Sequence, residues 1–304
     1  VRSRLLVLVL TITCLAAAGW GSASAAPPPT ASTPGQISTS TLTNAVGTRS
    51  FQTYVPRNWA PGRPLIVWLH GASAVPRGDY HGLRRSSTLL TEADRQGFAV
   101  VAPMQSLAID HGTWQILNPA NVVRGQGESS IVADIVRRSS RELHVDPARV
   151  YVVGHSAGGA MAQDVAALYP ELFAGMAAIA GVPFMADPTG AAIRVARHGA
   201  PLPTFLVQGD RDSVTPPVLG QVALSAALGA NGIAGARPWS TRLVPADGAD
   251  RYSTDIQRYG HGRSEVVYAT VLGADHPTGP GGVTINGPTL DRAVIGFLLA
   301  HRRG

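Results

Sequence analysis

Three short segments of this chain carry residues that could do chemistry together. The first is Gly154-His155-Ser156-Ala157-Gly158, which follows the β-branched, aromatic run Val150-Tyr151-Val152-Val153 and continues into the small-residue stretch up to Ala162. A serine in Gly-x-Ser-x-Gly between a strand and a helix sits on a tight turn, where the two glycines let backbone segments pass without a Cβ clash. The helix that follows directs partial positive charge towards Ser156, as a nucleophile forming an oxyanion requires.

Serine at its ordinary pKa is a weak nucleophile and needs a base within hydrogen-bond reach. The second and third segments supply one. His276 lies in Gly273-Ala274-Asp275-His276-Pro277, a loop past the apolar run Val266 to Leu272. Of the nine histidines, His261 is the alternative, but its Gly-His-Gly setting reads as a turn before that run. His144 and His301 fall at helix ends, and His81, His111 and His198 have no strand-end placement. An acid must orient the imidazole, and Gly209-Asp210-Arg211-Asp212-Ser213 offers two just past Leu206-Val207-Gln208. Asp212 is the first choice; Asp210 stays open as the other acid or as a turn cap. The chain order Ser156, Asp212, His276 is that of the α/β-hydrolases. Two backbone N–H groups should bind the oxyanion: Ala157, and Ala72 in the loop after Leu65-Ile66-Val67-Trp68-Leu69-His70. Trp114, and His155 fixed beside the nucleophile, are the candidate substrate-binding residues.

The elements that must position these groups follow from hydrophobic patterning. Expected strands are Phe51 to Val55, Leu65 to His70, Phe98 to Ala102, Val150 to Gly154, Met176 to Ala180, Thr204 to Gln208 and Val266 to Leu272. Expected helices are Ser86 to Gln96, Glu128 to Leu143, Ala157 to Tyr169, Pro217 to Ala230 and Pro288 to Arg302. Continuous apolar strands alternating with amphipathic helices predict an α/β fold with a mostly parallel central sheet and helices on both faces. Ligands of such sheets bind beyond the carboxyl ends of the strands, where all three segments fall.

Composition bounds the rest. Residues 1–25 read as a secretion signal: Arg2 and Arg4 lead an apolar core from Leu5 to Ala18, and Ala23-Ser24-Ala25 offers a cleavage site. That core is too short for a stable membrane anchor. The single cysteine, Cys14, lies within it, so the exported chain carries no disulfide. Residues 26–45 are rich in Pro, Ser and Thr and read as a disordered lead-in, leaving 46–304 as one catalytic domain. Hydrophobic residues make up 45% and charged residues 14%, which suits a large buried sheet. The formal charge is +6, carried by arginines dispersed along the chain, so no nucleic-acid partner is implied. Gly125-Gln126-Gly127 follows no strand and fails as a dinucleotide site. No metal motif occurs, and no cofactor is implied.

With these residues in view, the chain resembles the secreted polyhydroxybutyrate depolymerase-like esterases, an α/β-hydrolase family with feruloyl and acetylxylan esterase relatives. The similar segments are Pro64 to Gly71, Ala93 to Pro103, Asp146 to Met161, Tyr169 to Phe173, Gln208 to Val214 and Gly273 to His276. The resemblance implies Ser156 as nucleophile, Asp212 as acid, His276 as base and Ala72 as loop oxyanion donor. It implies a secreted serine ester hydrolase working through an acyl-enzyme on polyhydroxybutyrate or short hydroxyalkanoate esters, soluble or polymeric. A feruloyl or acetylxylan type of carbohydrate esterase is the alternative, and a non-catalytic binding protein on the same fold is the reading from another class. Two departures bear on substrate. Thr113-Trp114-Gln115-Ile116 stands where the family often has Cys-Trp-x-Trp, and Pro277-Thr278 stands where it has an aromatic residue after the histidine.

Overall fold

The apolar runs build the centre of one sheet. In the computed structural model, which describes residues 33–72, 82–83, 87–109, 112–183, 201–276 and 286–304, ten strands join edge to edge. They are β1 (Ile37–Asn44), β2 (Gly47–Tyr54), β3 (Leu65–Leu69), β4 (Ala99–Met104), β5 (Val150–His155), β6 (Gly175–Ile179), β7 (Thr204–Gly209), β8 (Ser240–Val244), β9 (Thr254–Tyr259) and β10 (Val266–Val271). Their order is β1-β2-β4-β3-β5-β6-β7-β10-β9-β8. From β4 to β10 every neighbouring pair is parallel. The flanking pairs β1–β2, β2–β4, β9–β10 and β8–β9 are antiparallel.

The helices are α1 (Ser87–Gln96), α2 (Gly127–Glu142), α3 (Ala157–Leu168), α4 (Pro217–Ala230) and α5 (Pro288–Ala300). Alternate residues of each central strand point to opposite faces, and both faces are covered. Leu65, Val67 and Leu69 of β3 pack in one core with Ile131 and Val132 of α2, Val165 of α3 and Leu224 of α4. Ile66 and Trp68 lie in a second core with Leu89 and Ala93 of α1 and Val294 and Leu298 of α5. Burial on both faces explains why these strands read as continuous apolar runs.

The central sheet is mostly parallel, as expected, and antiparallel polar strands extend both of its edges. One expectation is corrected. The lead-in does not reach residue 45: Ile37–Asn44 forms β1, paired with β2 from Ile37↔Tyr54 to Asn44↔Gly47. Thr39, Thr41 and Thr43 are exposed while Ser40, Leu42 and Asn44 are half-buried, the alternation of a strand covered on one face. Its Ser and Thr content reads as lead-in composition, yet β-branched threonines suit an edge strand. The proposed signal lies outside the described residues. Among the described residues no helix is long and apolar enough to cross a membrane, and no group of three His, Cys, Asp or Glu side chains could hold a metal.

Candidate active site

Ser156 lies at the carboxyl end of β5, where the chain turns into α3. Its backbone sits at φ 54 and ψ −122, a strained conformation for a residue with a side chain. Crowding holds it there. A Cβ on Gly154 would meet Gly158 O at 1.9 Å, and one on Gly158 would meet Leu69 O at 2.1 Å and His70 O at 2.3 Å. Strand β5, the first turn of α3 and the end of β3 therefore touch backbone to backbone. Ser156 N donates to Ile179 O at 2.8 Å, which ties the turn to β6. The Ser156 side chain makes no cap bond to its own helix, and its Oγ faces His276 Nε2 at 3.0 Å.

His276 reaches this position from the loop after β10. Its Nδ1 lies 2.8 Å from Asp212 Oδ2. An ionised Asp212 accepts, so Nδ1 carries the proton and Nε2 is free to accept from the serine hydroxyl. The side chains of His276 and Asp212 are 8% and 0% exposed, which shields the pair from water. Asp212 Oδ1 accepts from the N–H groups of Val214 (2.9 Å) and Thr215 (2.7 Å). Its Oδ2 also accepts from Thr215 Oγ1 (2.7 Å) and Gln208 Nε2 (3.2 Å). Thr215 Oγ1 lies 3.2 Å from His276 Nδ1 as well. Asp210, the other acid left open by the sequence, is exposed and accepts from Gly273 N at 2.6 Å. It braces the histidine's loop and does not touch the ring.

The loop after β3 comes against the same turn. A Cβ on Gly71 would lie 2.8 Å from His155 Nδ1 and 3.3 Å from Ser156 Cβ, so a side chain there would press on the nucleophile's turn. Gln105 N donates to His70 Nε2 at 3.1 Å, which leaves His70 Nδ1–H to donate to Gly71 O at 2.8 Å. That bond orients the Gly71–Ala72 peptide, and in a trans peptide it aims the Ala72 N–H the opposite way. Behind the loop lies a buried ion pair: Arg49 Nη2 meets Glu128 Oε1 at 3.1 Å. Glu128 also accepts from Gln115 N at 2.8 Å and from Gln105 Nε2. Ala157 opens α3, where the first N–H groups have no acceptor within the helix.

The two expected substrate-binding residues differ. Trp114 is 1% exposed, stacks on His70 with ring centroids 5.0 Å apart and donates Nε1–H to His70 O at 3.0 Å. The expectation that it lines a pocket is corrected: burial of the indole with its N–H satisfied makes it part of the frame behind the loop. His155 is half-buried, with its ring 5.4 Å from that of His276 and its Nε2 closed off without a hydrogen-bond partner. Burial, and then the His276 charge, push its pKa down to about 3, so the ring is neutral.

Sequence reasoning missed Thr215 and Gln208, which complete the shell around Asp212. The Asp-x-x-Thr spacing, which lets the carboxylate cap a backbone N–H three residues on, was the available signal. Of the other histidines, His261 lies tilted against Trp239 with ring centroids 5.0 Å apart, and His301 pairs with Glu265 at 3.2 Å. His81, His111 and His198 lie outside the described residues.

Known proteins resemble this chain to different extents. Feruloyl esterase B of Neurospora crassa is 35% identical over 131 residues, 43% of this chain and 43% of that protein. Poly(3-hydroxyalkanoate) depolymerase C of Paucimonas lemoignei is 33% identical over 132 residues, 43% of this chain and 31% of its own length. The matched stretch thus spans less than half of either curated relative. An acetyl xylan esterase from Aspergillus awamori superposes with a TM-score of 0.65 at 21% identity, covering 86% of this chain and 99% of that one. That likeness shows the α/β-hydrolase fold. Residues 49–240 match the family described as Esterase PHB depolymerase, and the chain belongs to that family.

Proposed function

We propose that this chain is a secreted serine ester hydrolase. The observation that supports this reading best is the unbroken line from Ser156 Oγ through His276 to Asp212, at 3.0 and 2.8 Å. Ser156 Oγ attacks the ester carbonyl carbon while its proton passes to His276 Nε2, and Asp212 stabilises the imidazolium. The N–H groups of Ala157 and Ala72 bind the oxyanion of the tetrahedral intermediate. His276 returns the proton to the departing alkoxide, leaving an acyl-serine. A water gives its proton to the same nitrogen and attacks the acyl carbon; His276 then hands that proton to Ser156 Oγ as the acyl–serine bond breaks and the acid leaves. His155 adds a neutral imidazole to the wall of the cleft beside the acyl group.

The substrate reading is an ester of a short hydroxyalkanoic acid, soluble or polymeric. Its support is family membership, together with the similarity to a poly(3-hydroxyalkanoate) depolymerase. Acyl groups on plant polysaccharide are the second reading, favoured by the feruloyl esterase similarity. Export rests on residues 1–25, whose charged start, apolar core and small-residue end fit a signal peptide.

The test is a panel of p-nitrophenyl esters from acetate to octanoate, beside 3-hydroxybutyrate oligomers, acetylated xylan and methyl ferulate. Wild type cleaves the short esters and the oligomers, and Ser156→Ala loses on the order of 10⁶ in turnover. A wild-type enzyme inert on every ester overturns the hydrolase reading. Cleavage of the polysaccharide esters in preference to the oligomers replaces the substrate class.

A further inference from the structure

The loop that carries the acid and the loop that carries the base grip each other through two aspartates outside the Ser–His–Asp line. Asp210, two residues before Asp212, accepts from Gly273 N at 2.6 Å. Asp275, one residue before His276, accepts through Oδ1 from Ser213 N and Ser213 Oγ, each at 2.8 Å, and from His276 N at 2.6 Å. Each loop thus sends a carboxylate to backbone N–H groups of the other. Two backbone bonds join them further: Arg211 N to Ala274 O at 3.0 Å and Asp210 N to Val271 O at 3.2 Å. Along the chain, Asp212 lies between the two contacts, and His276 directly follows the second.

We propose that Asp210 and Asp275 are positioning residues, a reciprocal clasp that holds His276 at bonding distance from both Asp212 and Ser156. This rests on the hydrolase reading above. Without the clasp, two backbone bonds and the Asp212–His276 contact would be left to hold the base loop, and small misplacements of a reacting group are costly. Asp275 stays charged at working pH. The Ser213 N–H, then the His276 N–H and the Ser213 hydroxyl, hold the Asp275 carboxyl below the usual carboxylate range.

Asp275 also stands among the groups that set the electrostatics of the base. Among the described residues, those groups are Asp212 on the acid loop, His155 at the end of β5 and Asp275 on the base's own loop. Asp212 and Asp275 favour the protonated ring; His155 is neutral. Removal of the Asp275 charge therefore moves the acid limb of a kcat/KM–pH profile to lower pH.

The test compares Asp275→Asn, Asp275→Ala and Asp210→Ala with wild type, on p-nitrophenyl acetate across pH 5 to 9. Asn keeps an acceptor oxygen for the N–H groups and removes the charge. It should retain kcat within about threefold and move the acid limb to lower pH, the direction expected when a neighbouring negative charge is removed. Ala at either position should lower kcat about 10- to 100-fold with KM little changed. NMR of the His276 ring gives a readout independent of turnover: the Asp275→Asn ring should titrate lower, and the Ala variants should show exchange broadening. Both Ala variants turning over like wild type with unchanged ring signals would overturn the clasp. So would an Asp275→Asn profile that stays in place. Wild type without ester turnover but with the NMR changes would instead fault the hydrolase reading and leave the clasp standing.

Discussion

Gly154 faces the carbonyl of Gly158 with no room for a side chain between them: a Cβ on Gly154 would stand 1.9 Å from Gly158 O. The contact presses the first turn of α3 against β5 and keeps Ser156 in its strained backbone conformation. Gly154→Ala must force the turn open. A loss above ~4 kcal/mol is expected, with little folded protein at 25 °C. Urea denaturation followed by circular dichroism reads the effect. A wild-type midpoint would mean that the elbow is looser than this packing requires.

Much of this arrangement was legible in the sequence because it is local. Gly-x-Ser-x-Gly after Val150 to Val153 marks the turn by its residue types alone, and the continuous apolar strands announce a sheet buried on both faces. The edges were harder to read. Ser240–Val244 and Thr254–Tyr259 are half-polar strands, since one or both of their faces meet water, so they carry no apolar run. The choice between Asp210 and Asp212 was not legible, because two residues of spacing decide it and only the placement of the base loop separates them. Trp114 misled for a related reason: an indole with a satisfied N–H fits a core as well as a cleft.

The hydrogen bonds around Asp212 make Thr215 a measurable contributor. Its hydroxyl reaches Asp212 Oδ2 at 2.7 Å and Ala180 O at 3.1 Å. Thr215→Val keeps the shape and removes a bond to a charged group, worth about 1.5–3 kcal/mol. Turnover of a p-nitrophenyl ester should fall about 10-fold with KM nearly unchanged. Asp212→Asn should cost far more, on the order of 10⁴ in kcat, through loss of the correct imidazole tautomer. Equal effects of the two substitutions would deny Asp212 its special place.

The Arg49–Glu128 pair supports the loop after β3 from behind, with side chains 7% and 5% exposed. Glu128→Ala strands a buried guanidinium together with the Gln115 N–H. Such a change costs about 3–5 kcal/mol. The double variant Arg49→Met, Glu128→Leu should recover part of that loss, since neither charge is then buried alone. Thermal unfolding of the three proteins checks the ordering; a double variant less stable than Glu128→Ala would contradict it.

His155 couples stability to pH. Its ring titrates near 3 in the folded chain and near the ordinary histidine value once unfolded. The unfolded chain therefore binds the extra proton between these values. The folded state has its full stability from this group above about pH 6.5, and loses it as pH falls towards 3. His155→Gln should flatten that part of the curve by up to ~1.4 kcal/mol per pH unit. Urea midpoints from pH 7 down to 4 measure the slope, and identical slopes in both proteins would show that the ring is not held neutral.

The claim that Ser156 is a nucleophile activated by His276 is tested most directly by covalent labelling. The protein is treated with a fluorophosphonate, digested, and the adduct located by mass spectrometry. One adduct on Ser156 is expected, absent in Ser156→Ala and formed at least ~100-fold more slowly in His276→Ala. No adduct in wild type, an adduct at another residue, or unchanged labelling in His276→Ala would contradict the account.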